Sequence, residues 1–309
     1  FAGEVSEVQI AALLTALQAK GIKAPELAGF ANSLREHALS VETDIDLLVD
    51  TCGTGGGRVK TLNISTTAAI VAAGAGVNIA KHGNRGITSG CGSADVLEAL
   101  GVNINGDART VKNCIEQTGI GFMFAPNYHP AMKYVQPVRK SLGFRTVFNI
   151  LGPLANPAKA NCQVLGVADP ELMQLVAEAL TLMTSKYALV VHADGLDEIS
   201  TATPTKVIEL KDGNPKAYRI DPARFGFEPT DLSKLKAADA AASAEQVKKI
   251  ITGQDKGPAR DIIVLNAAAA IIAGQLTDDF ENAIPMAAES IDNGKAQTTL
   301  EKLIKVSNS

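Results

Sequence analysis

Cysteine is scarce in this chain, with four among 309 residues, at positions 52, 91, 114 and 162. None belongs to a Cys-x-x-Cys pair, and none lies at zinc-site spacing from a histidine. The pattern therefore argues against a disulfide framework and against a cysteine-based zinc site. It is typical of reduced thiols in a cytoplasmic protein.

Basic clusters and long apolar runs are missing as well. The formal net charge is −4, and no Lys/Arg run dominates any segment, so we expect neither a nucleic-acid nor a membrane partner. The apolar stretch Ala68–Gly76 is short and interrupted by glycine, so we predict no signal peptide and no membrane span. Apolar residues make up 46% of the chain, which is enough for a full globular core.

The first 45 residues predict a small helical unit. Residues 6–20 and 25–38 carry apolar side chains at helical spacing, with Ser6 placed to cap the first helix and Gly21 to end it. From Ile45, short apolar strands alternate with helical segments, beginning with a strand over 45–50. This alternation is typical of a parallel α/β sheet.

We therefore predict an α/β fold with a small helical domain and a larger α/β domain that has a mainly parallel central sheet. Residues 127–147 have helical spacing after Pro130 and are expected to return to the helical unit, which would place a ligand cleft between the two domains. The sequence further predicts a helix capped by Ser93, a hairpin turning at Asp212-Gly213, and a largely helical end. The expected domains are 1–45 with 127–147, and 46–126 with 148–309.

A glycine-rich loop, Gly53–Gly57, follows the first predicted strand. Four glycines in five residues allow positive φ and leave the backbone N–H groups bare, which suits an anion. Ten residues after Gly53, Asn63–Thr66 is expected at a helix N-terminus, a second favourable place for phosphate. Two such sites favour a ligand with more than one phosphate, and a flexible turn with an ordinary cap is the alternative. Neither the dinucleotide nor the Walker pattern is present, because Arg58 replaces a glycine and no Gly-Lys-Ser/Thr ending occurs.

A second polar loop, Lys81–Ser93, follows the next predicted strand. It holds two cations, a histidine, an amide, three hydroxyls and four glycines in 13 residues. Lys81, at a strand end, could meet the charge of a phosphate or diphosphate, and Ser89 and Ser93 could donate to phosphate oxygens. Ligands of open α/β sheets gather at the carboxyl ends of strands, and both loops are expected there.

Two further features indicate a metal and a carboxylate ligand. Asp197 and Glu198 follow a predicted buried strand, and adjacent carboxylates suit Mg²⁺, although a solvated surface pair is the alternative. Arg139 could bind a carboxylate through two hydrogen bonds, or it could be an ordinary residue on a helix surface.

Five segments taken together resemble one family. They are DTCGTGGGRVKTLNIST at 50–66, KHGNR at 81–85, GSADVLEALG at 92–101, HPAMKYVQPVRKSLGFRTVFNILGPLANP at 129–157 and GLDEIS at 195–200. In order and content they are similar to the anthranilate phosphoribosyltransferase family of tryptophan biosynthesis, over nearly the whole chain. The resemblance implies a nucleoside phosphorylase/phosphoribosyltransferase-like fold. It also implies that phosphoribosyl pyrophosphate (PRPP) and Mg²⁺ bind between the domains, and that a homodimer forms through the helical domain.

The same resemblance implies roles for individual residues. The positions that match PRPP binding are Gly53, Gly56, Gly57, Thr61, Asn63, Ser65, Thr66, Lys81, Asn84, Arg85, Ser89 and Ser93. The positions that match anthranilate binding are Gly53, His82, Asn84, His129 and Arg139. The positions that match the Mg²⁺ ligands are Ser65, Asp197 and Glu198.

The expected chemistry is displacement of pyrophosphate from ribose C1 by an aromatic amine, which is neutral at pH 7 and needs no strong base. We therefore assign no residue as an essential base, and His82 is the only candidate. The family loop usually reads GTGGD, whereas this chain has Gly57 and then Arg58, which could contact pyrophosphate instead. Two alternatives remain at this point: a pyrimidine nucleoside phosphorylase, and a non-catalytic paralogue that binds nucleic acid.

Overall fold

The computed structural model describes residues 3–57, 61–86 and 91–309. The predicted site residue Ser89, and Arg58 after the glycine loop, therefore lie outside the described residues. Within them the chain forms thirteen α-helices and seven strands. In chain order these are α1 (Glu7–Lys20), α2 (Ala24–Glu36), β1 (Val49–Gly53), α3 (Ile64–Gly74), β2 (Ile79–Gly83), α4 (Ser93–Ala99), α5 (Ala108–Thr118), β3 (Ile120–Phe124), α6 (Ala125–Tyr128), α7 (Gln136–Leu142), α8 (Phe148–Leu151), β4 (Cys162–Gly166), α9 (Met173–Leu182), β5 (Tyr187–His192), β6 (Thr205–Lys211), β7 (Asn214–Ile220), α10 (Ala240–Ile251), α11 (Pro258–Ala273), α12 (Phe280–Asp292) and α13 (Lys295–Ser307).

The strands form one seven-stranded sheet in the order β3-β2-β1-β4-β5-β6-β7. The first five are parallel, while β6 and β7 form the predicted hairpin, with positive φ at Asp212 and Gly213 in its turn. The mainly parallel sheet, with helices on its faces and a small helical domain, confirms the predicted fold class. The exact domain boundaries stay a prediction.

The first strand lies further along the chain than the predicted 45–50. It begins at Val49 and runs to Gly53, in parallel register with β4 from Val49 opposite Cys162 to Gly53 opposite Gly166. The apolar run suggested the earlier position, but backbone pairing with β4 sets the actual one. As a result the glycine loop starts directly at the carboxyl edge of the sheet.

The helix caps follow the sequence closely, with one exception. Ser6 accepts a hydrogen bond from Gln9 N at the start of α1, and the helix ends before Gly21, as predicted. Ser93 was predicted to cap α4, but it is the first helical residue and the cap position is Gly92. The Asp95 carboxylate accepts from Gly92 N at 2.8 Å, which is the bond that the third helical residue of a capping box makes back to the cap residue.

The sheet has an apolar core on each face, because alternate side chains of a strand point to opposite sides. Val164 and Leu189 lie in one core with α3 and α11, whereas Leu165 and Val190 lie in the other. This second core also contains Leu14 and Leu27 of α1 and α2, and Val135 and Val138 of the 127–147 segment. The helical unit therefore packs against the sheet domain through a shared apolar interior. No helix in the described ranges is both long and apolar enough to cross a membrane.

Candidate active site

The polar loops converge at the carboxyl edge of the sheet. β1 ends at Gly53 and β2 at Gly83, and the turn after β5 brings in Asp197 and Glu198. Gly53 and Gly166 have no side chains where Asp197 packs against them, and a methyl group at either position would collide with that residue. Missing side chains thus allow two strands and a distant turn to form one site.

The glycine loop is held open by backbone geometry and by one carboxylate. Gly55 and Gly56 have φ of +69° and +76°, a region that side-chain-bearing residues seldom adopt. Gly55 N donates to Asp197 Oδ2 at 2.9 Å, and Thr54 N donates to Gly166 O at 2.9 Å. The Asp197 carboxylate therefore positions the glycine loop and takes up the Gly55 N–H, one of the amides predicted to meet an anion.

Glu198 reaches the start of α3. Its Oε1 accepts from Ser65 N at 3.3 Å, and burial, then repulsion from Asp197, raises the pKa of the Glu198 carboxyl. Burial also raises the pKa of Asp197. These two carboxylates are adjacent and half-buried, so keeping both of them charged is unfavourable without a cation. A bound cation would favour the charged forms and lower both pKa values.

Lys81 lies in the middle of β2 rather than at a strand end, which corrects its predicted position. It is 2% exposed, and its Nζ donates to Thr51 O at 2.5 Å and to Ser65 Oγ at 3.5 Å. Burial lowers the pKa of Lys81 and raises that of Asp50, and their mutual attraction opposes both shifts. Lys81 therefore places its charge within the protein behind the Ser65 hydroxyl.

The N-terminus of α3 has unused polar groups. Asn63 occupies the cap position without making a side-chain cap bond; its Oδ1 accepts from Ser243 Oγ instead, at 2.7 Å. Thr66 is buried, and its Oγ1 has no hydrogen-bond partner among the described residues. Thr61 is half-buried one turn ahead of the helix. A buried, unpaired hydroxyl at a helix N-terminus is favourable to a phosphate.

The described ends of the second loop are joined by Asp95, a residue that the sequence analysis missed. Its Oδ2 accepts from Gly86 N at 2.9 Å and from Gly92 N at 2.8 Å, while its Oδ1 accepts from Arg85. Arg85 also forms a two-bond pair with Glu98. Arg85 is thus engaged with two carboxylates rather than directed towards an anion. Asn84 is exposed beside it, and Ser93 Oγ donates to Asn84 O at 3.3 Å.

The predicted acceptor residues lie on the side of the site that faces the 127–157 segment. His82 and His129 are buried with ring centroids 5.0 Å apart, and burial lowers their pKa values to about 3 and about 4. His82 Nδ1 lies 3.2 Å from Gly152 O, whereas its Nε2 has no partner among the described residues. Arg139 is half-buried, and its guanidinium lies 5.3 Å from the Phe148 ring centroid.

His82 is a poor general base in this setting. A base is most effective when its pKa lies near the working pH, and a pKa of about 3 leaves the ring neutral but weakly basic at pH 7. Its role as a base stays an untested prediction that the surroundings do not favour.

Other contributors were not anticipated. Asp50 is fully buried on β1 and accepts from His82 N at 3.2 Å and from Asn156 Nδ2 at 2.8 Å. It therefore fixes β2 beside the FNILGPLANP block. Arg145 places its guanidinium over Gly56. A charged residue inside an otherwise apolar strand was the available signal for Asp50, whereas nothing in the sequence separated Arg145 from other surface arginines.

The donor set suits a hard cation held jointly with a ligand. Within the described ranges, no group of three or more His, Cys, Asp or Glu side chains is arranged to hold a metal ion. Two carboxylates and one hydroxyl remain, which is the partial oxygen shell that Mg²⁺ uses when waters and substrate phosphates complete its coordination.

Comparison with protein-family models identifies the class. Residues 46–297 match the α/β domain of a glycosyl transferase family, and residues 1–38 match the helical bundle domain of the same family. Fold and site together thus define a two-domain glycosyl transferase.

Individual relatives narrow this further. The chain is 50% identical to the anthranilate phosphoribosyltransferase of Herpetosiphon aurantiacus, with 99% of this chain and 91% of the relative covered. Among solved structures, the Thermus thermophilus enzyme of that name matches with a TM-score of 0.95 and 41% identity, covering 100% of this chain and 92% of that one. The Saccharomyces cerevisiae enzyme in complex with PRPP and Mg matches with a TM-score of 0.90 and 32% identity, covering 98% and 85%. The chain belongs to the anthranilate phosphoribosyltransferase family.

Proposed function

We propose that this protein transfers the phosphoribosyl group of PRPP to anthranilate, giving N-(5-phosphoribosyl)anthranilate and pyrophosphate, a step of tryptophan biosynthesis. The observation that carries the proposal is the meeting of the glycine loop, the α3 N-terminus and the Asp197–Glu198 pair at one sheet edge. The complex of the yeast relative with PRPP and Mg supports the same ligands here.

The anionic groups of PRPP are bound by donors from both loops in this proposal. The glycine-loop amides, the hydroxyls of Ser65 and Thr66 and the start of α3 face the phosphates, and Lys81 adds charge from behind Ser65. The other predicted PRPP contacts, Gly53, Gly56, Gly57, Thr61, Asn63, Asn84 and Ser93, border the same edge; Ser89 lies outside the described residues. Arg85 is paired with Asp95 and Glu98, so in this proposal it helps to hold the conformation of the second loop.

Mg²⁺ would be held by Ser65, Asp197 and Glu198, and when bound it supplies positive charge to the leaving pyrophosphate. The fit rests on the raised pKa values of two adjacent carboxylates, a state that a divalent ion would relieve. Asp197 accepts from Gly55 through Oδ2 alone, so its Oδ1 would be available to the ion while the loop contact is kept.

Anthranilate would bind on the other side of the site, with its carboxylate on Arg139 and its ring near His82 and His129, and with Gly53 and Asn84 completing the pocket. Arg139 is half-buried and makes no ion pair among the described residues, so a carboxylate ligand would satisfy it. In the reaction the bond from C1 to the pyrophosphate oxygen breaks, the bond from C1 to the amine nitrogen forms, and one amine proton leaves. Catalysis then rests on positioning and electrostatics.

The direct test follows anthranilate fluorescence in the presence of PRPP and Mg²⁺. Loss of fluorescence that requires all three components is expected, and the product mass should equal that of anthranilate plus ribose 5-phosphate less one water. Thymidine or uridine with inorganic phosphate serves as the comparison reaction. Phosphorolysis of a nucleoside without any reaction of anthranilate would overturn the proposal.

We also propose a homodimer formed through the helical domain in the cytoplasm. Val8 is 79% and Leu13 50% exposed on α1, beside a groove of ≈ 540 Å³ lined by Ile10, Phe30 and Tyr134. Clustered exposed apolar residues are typical of interfaces. Light scattering should give twice the chain mass, and Val8→Asp with Leu13→Asp should give the monomer. A monomeric parent protein at micromolar concentration would contradict this assembly.

A further inference from the structure

Arg145 reaches across the site to the glycine loop. It lies in the turn between α7 and α8, and a methyl group added at Gly56 would collide with its Nη2. Gly56 thus provides the space that the guanidinium occupies. Asp197 contacts the same loop through Gly55, so the loop has a carboxylate and a guanidinium on two successive glycines.

The turn that carries Arg145 is well anchored. The next residue, Thr146, is buried, and its N–H donates to Asn149 Oδ1 at 2.9 Å. Val147 and Phe148 then enter the core shared with the helical unit. The backbone at Arg145 is therefore fixed although its side chain is exposed, which reduces the ordering cost of binding a ligand there.

Arg145 has an unused charge. Two other cations beside the loops are already engaged: Lys81 with Thr51 O, and Arg85 with Asp95 and Glu98. Among the described residues, the Arg145 guanidinium makes no hydrogen bond or ion pair. A planar guanidinium has paired N–H donors that match phosphate oxygens, so an anion is the partner this position suits.

The position also indicates which end of the substrate it meets. Asp197 and Glu198 lie against Gly53, Gly55 and Ser65, and Mg²⁺ held by such carboxylates bridges to substrate phosphates. The diphosphate would therefore lie over the glycine loop, next to Gly56. We infer that Arg145 binds the diphosphate of PRPP where it lies over the glycine loop, an inference that rests on the proposed function. It is a substrate-binding residue contributed by the segment that joins the two domains.

The test compares Arg145→Ala and Arg145→Lys with the parent protein. Lys140→Ala is the matched control, because it removes one exposed positive charge five residues away. Losing a charge-assisted pair should raise the KM for PRPP and the inhibition constant of pyrophosphate by about tenfold or more. The KM for anthranilate and the melting temperature should stay unchanged. Lysine should restore part of the loss, and Lys140→Ala should resemble the parent.

Calorimetry with Mg²⁺ and inorganic pyrophosphate separates this inference from the proposed function. If the parent protein is active and Arg145→Ala keeps its KM for PRPP and its pyrophosphate affinity within twofold, the inference is wrong. If the parent has no activity with PRPP and anthranilate, the proposed function fails. Arg145-dependent pyrophosphate binding would then still support the anion site, and Arg145-independent binding or no binding would overturn it.

Discussion

The carboxylate of Asp197 accepts a hydrogen bond from the backbone N–H of Gly55, with 2.9 Å between Oδ2 and N. One side chain thus has two tasks in the proposed enzyme, which are positioning the glycine loop and binding the metal. The tasks can be separated, because an asparagine retains an oxygen that accepts from Gly55 but lacks the charge that a cation needs.

Asp197→Asn should therefore weaken the binding of Mg²⁺ while leaving the loop in place. We expect the Mg²⁺ concentration for half-maximal activity to rise by roughly 10- to 100-fold, and Glu198→Gln to behave alike. Asp197→Ala should raise the KM for PRPP further, since the Gly55 anchor is lost as well. Metal titrations at saturating PRPP measure this, and equal Mg²⁺ dependence in parent and Asn variant would show that Asp197 is not a ligand.

Asp95 offers a test of loop positioning away from the reacting groups. Because one of its oxygens holds both Gly86 N and Gly92 N, Asp95→Ala should raise the KM for PRPP several-fold, with about 1 kcal/mol or more of lost stability. The KM for anthranilate should not change. Glu98→Gln is the control, because it affects only the exposed pair with Arg85. A similar KM shift in both variants would assign the effect to the Arg85 pair instead.

Much of the fold was predictable from the sequence, because periodicity, glycines and polar caps act locally. The helix beginning after Ser6 and the hairpin at Asp212-Gly213 follow from residues within a few positions. The start of β1 was wrong because its register depends on pairing with β4, more than a hundred residues away. Lys81 was predicted at a strand end, but β2 continues to Gly83, because a sequence does not show how far a strand extends before its loop.

The candidate site was predictable where chemistry is concentrated in one segment, as in the glycine loop and the Asp197–Glu198 pair. It was not predictable where single residues arrive from elsewhere. Asp95 holds the second loop, and Arg145 reaches the first loop. Both contacts join segments whose proximity only the folded chain reveals.

Arg139 should determine the binding of the acceptor. Arg139→Ala is expected to raise the KM for anthranilate by about tenfold or more, since a half-buried charge-assisted pair would be lost, while the KM for PRPP stays nearly constant. Arg139→Lys should recover little, because a single ammonium does not reproduce the planar pair of donors. Steady-state kinetics with each substrate varied in turn measure both constants. An unaltered KM for anthranilate would remove Arg139 from the acceptor site.

The buried histidines predict loss of stability in acid. His82 has a folded pKa of about 3 against a usual value of 6.5, so below pH 6.5 the unfolded chain takes up a proton that the folded chain excludes. The contribution of His82 to the free energy of unfolding is therefore present above pH 6.5 and is lost as the pH falls towards 3. The loss amounts to about 1.4 kcal/mol at pH 5.5. Urea unfolding at pH 7.5 and 5.5 should show a smaller acid loss for His82→Asn than for the parent. Equal losses would mean that His82 is protonated in the folded state.

The loop residue Gly57 provides a last prediction, on how the loop and Arg145 interact. Gly57 follows Gly56, with Cα atoms about 3.8 Å apart, so a carboxylate introduced by Gly57→Asp would lie within reach of the Arg145 guanidinium. Pairing with it would draw Arg145 away from the diphosphate. We therefore expect Arg145→Ala to raise the KM for PRPP less in the Gly57→Asp background than in the parent. A double-mutant cycle on this constant measures the coupling, and strictly additive effects would mean that Arg145 does not lie over this loop in solution.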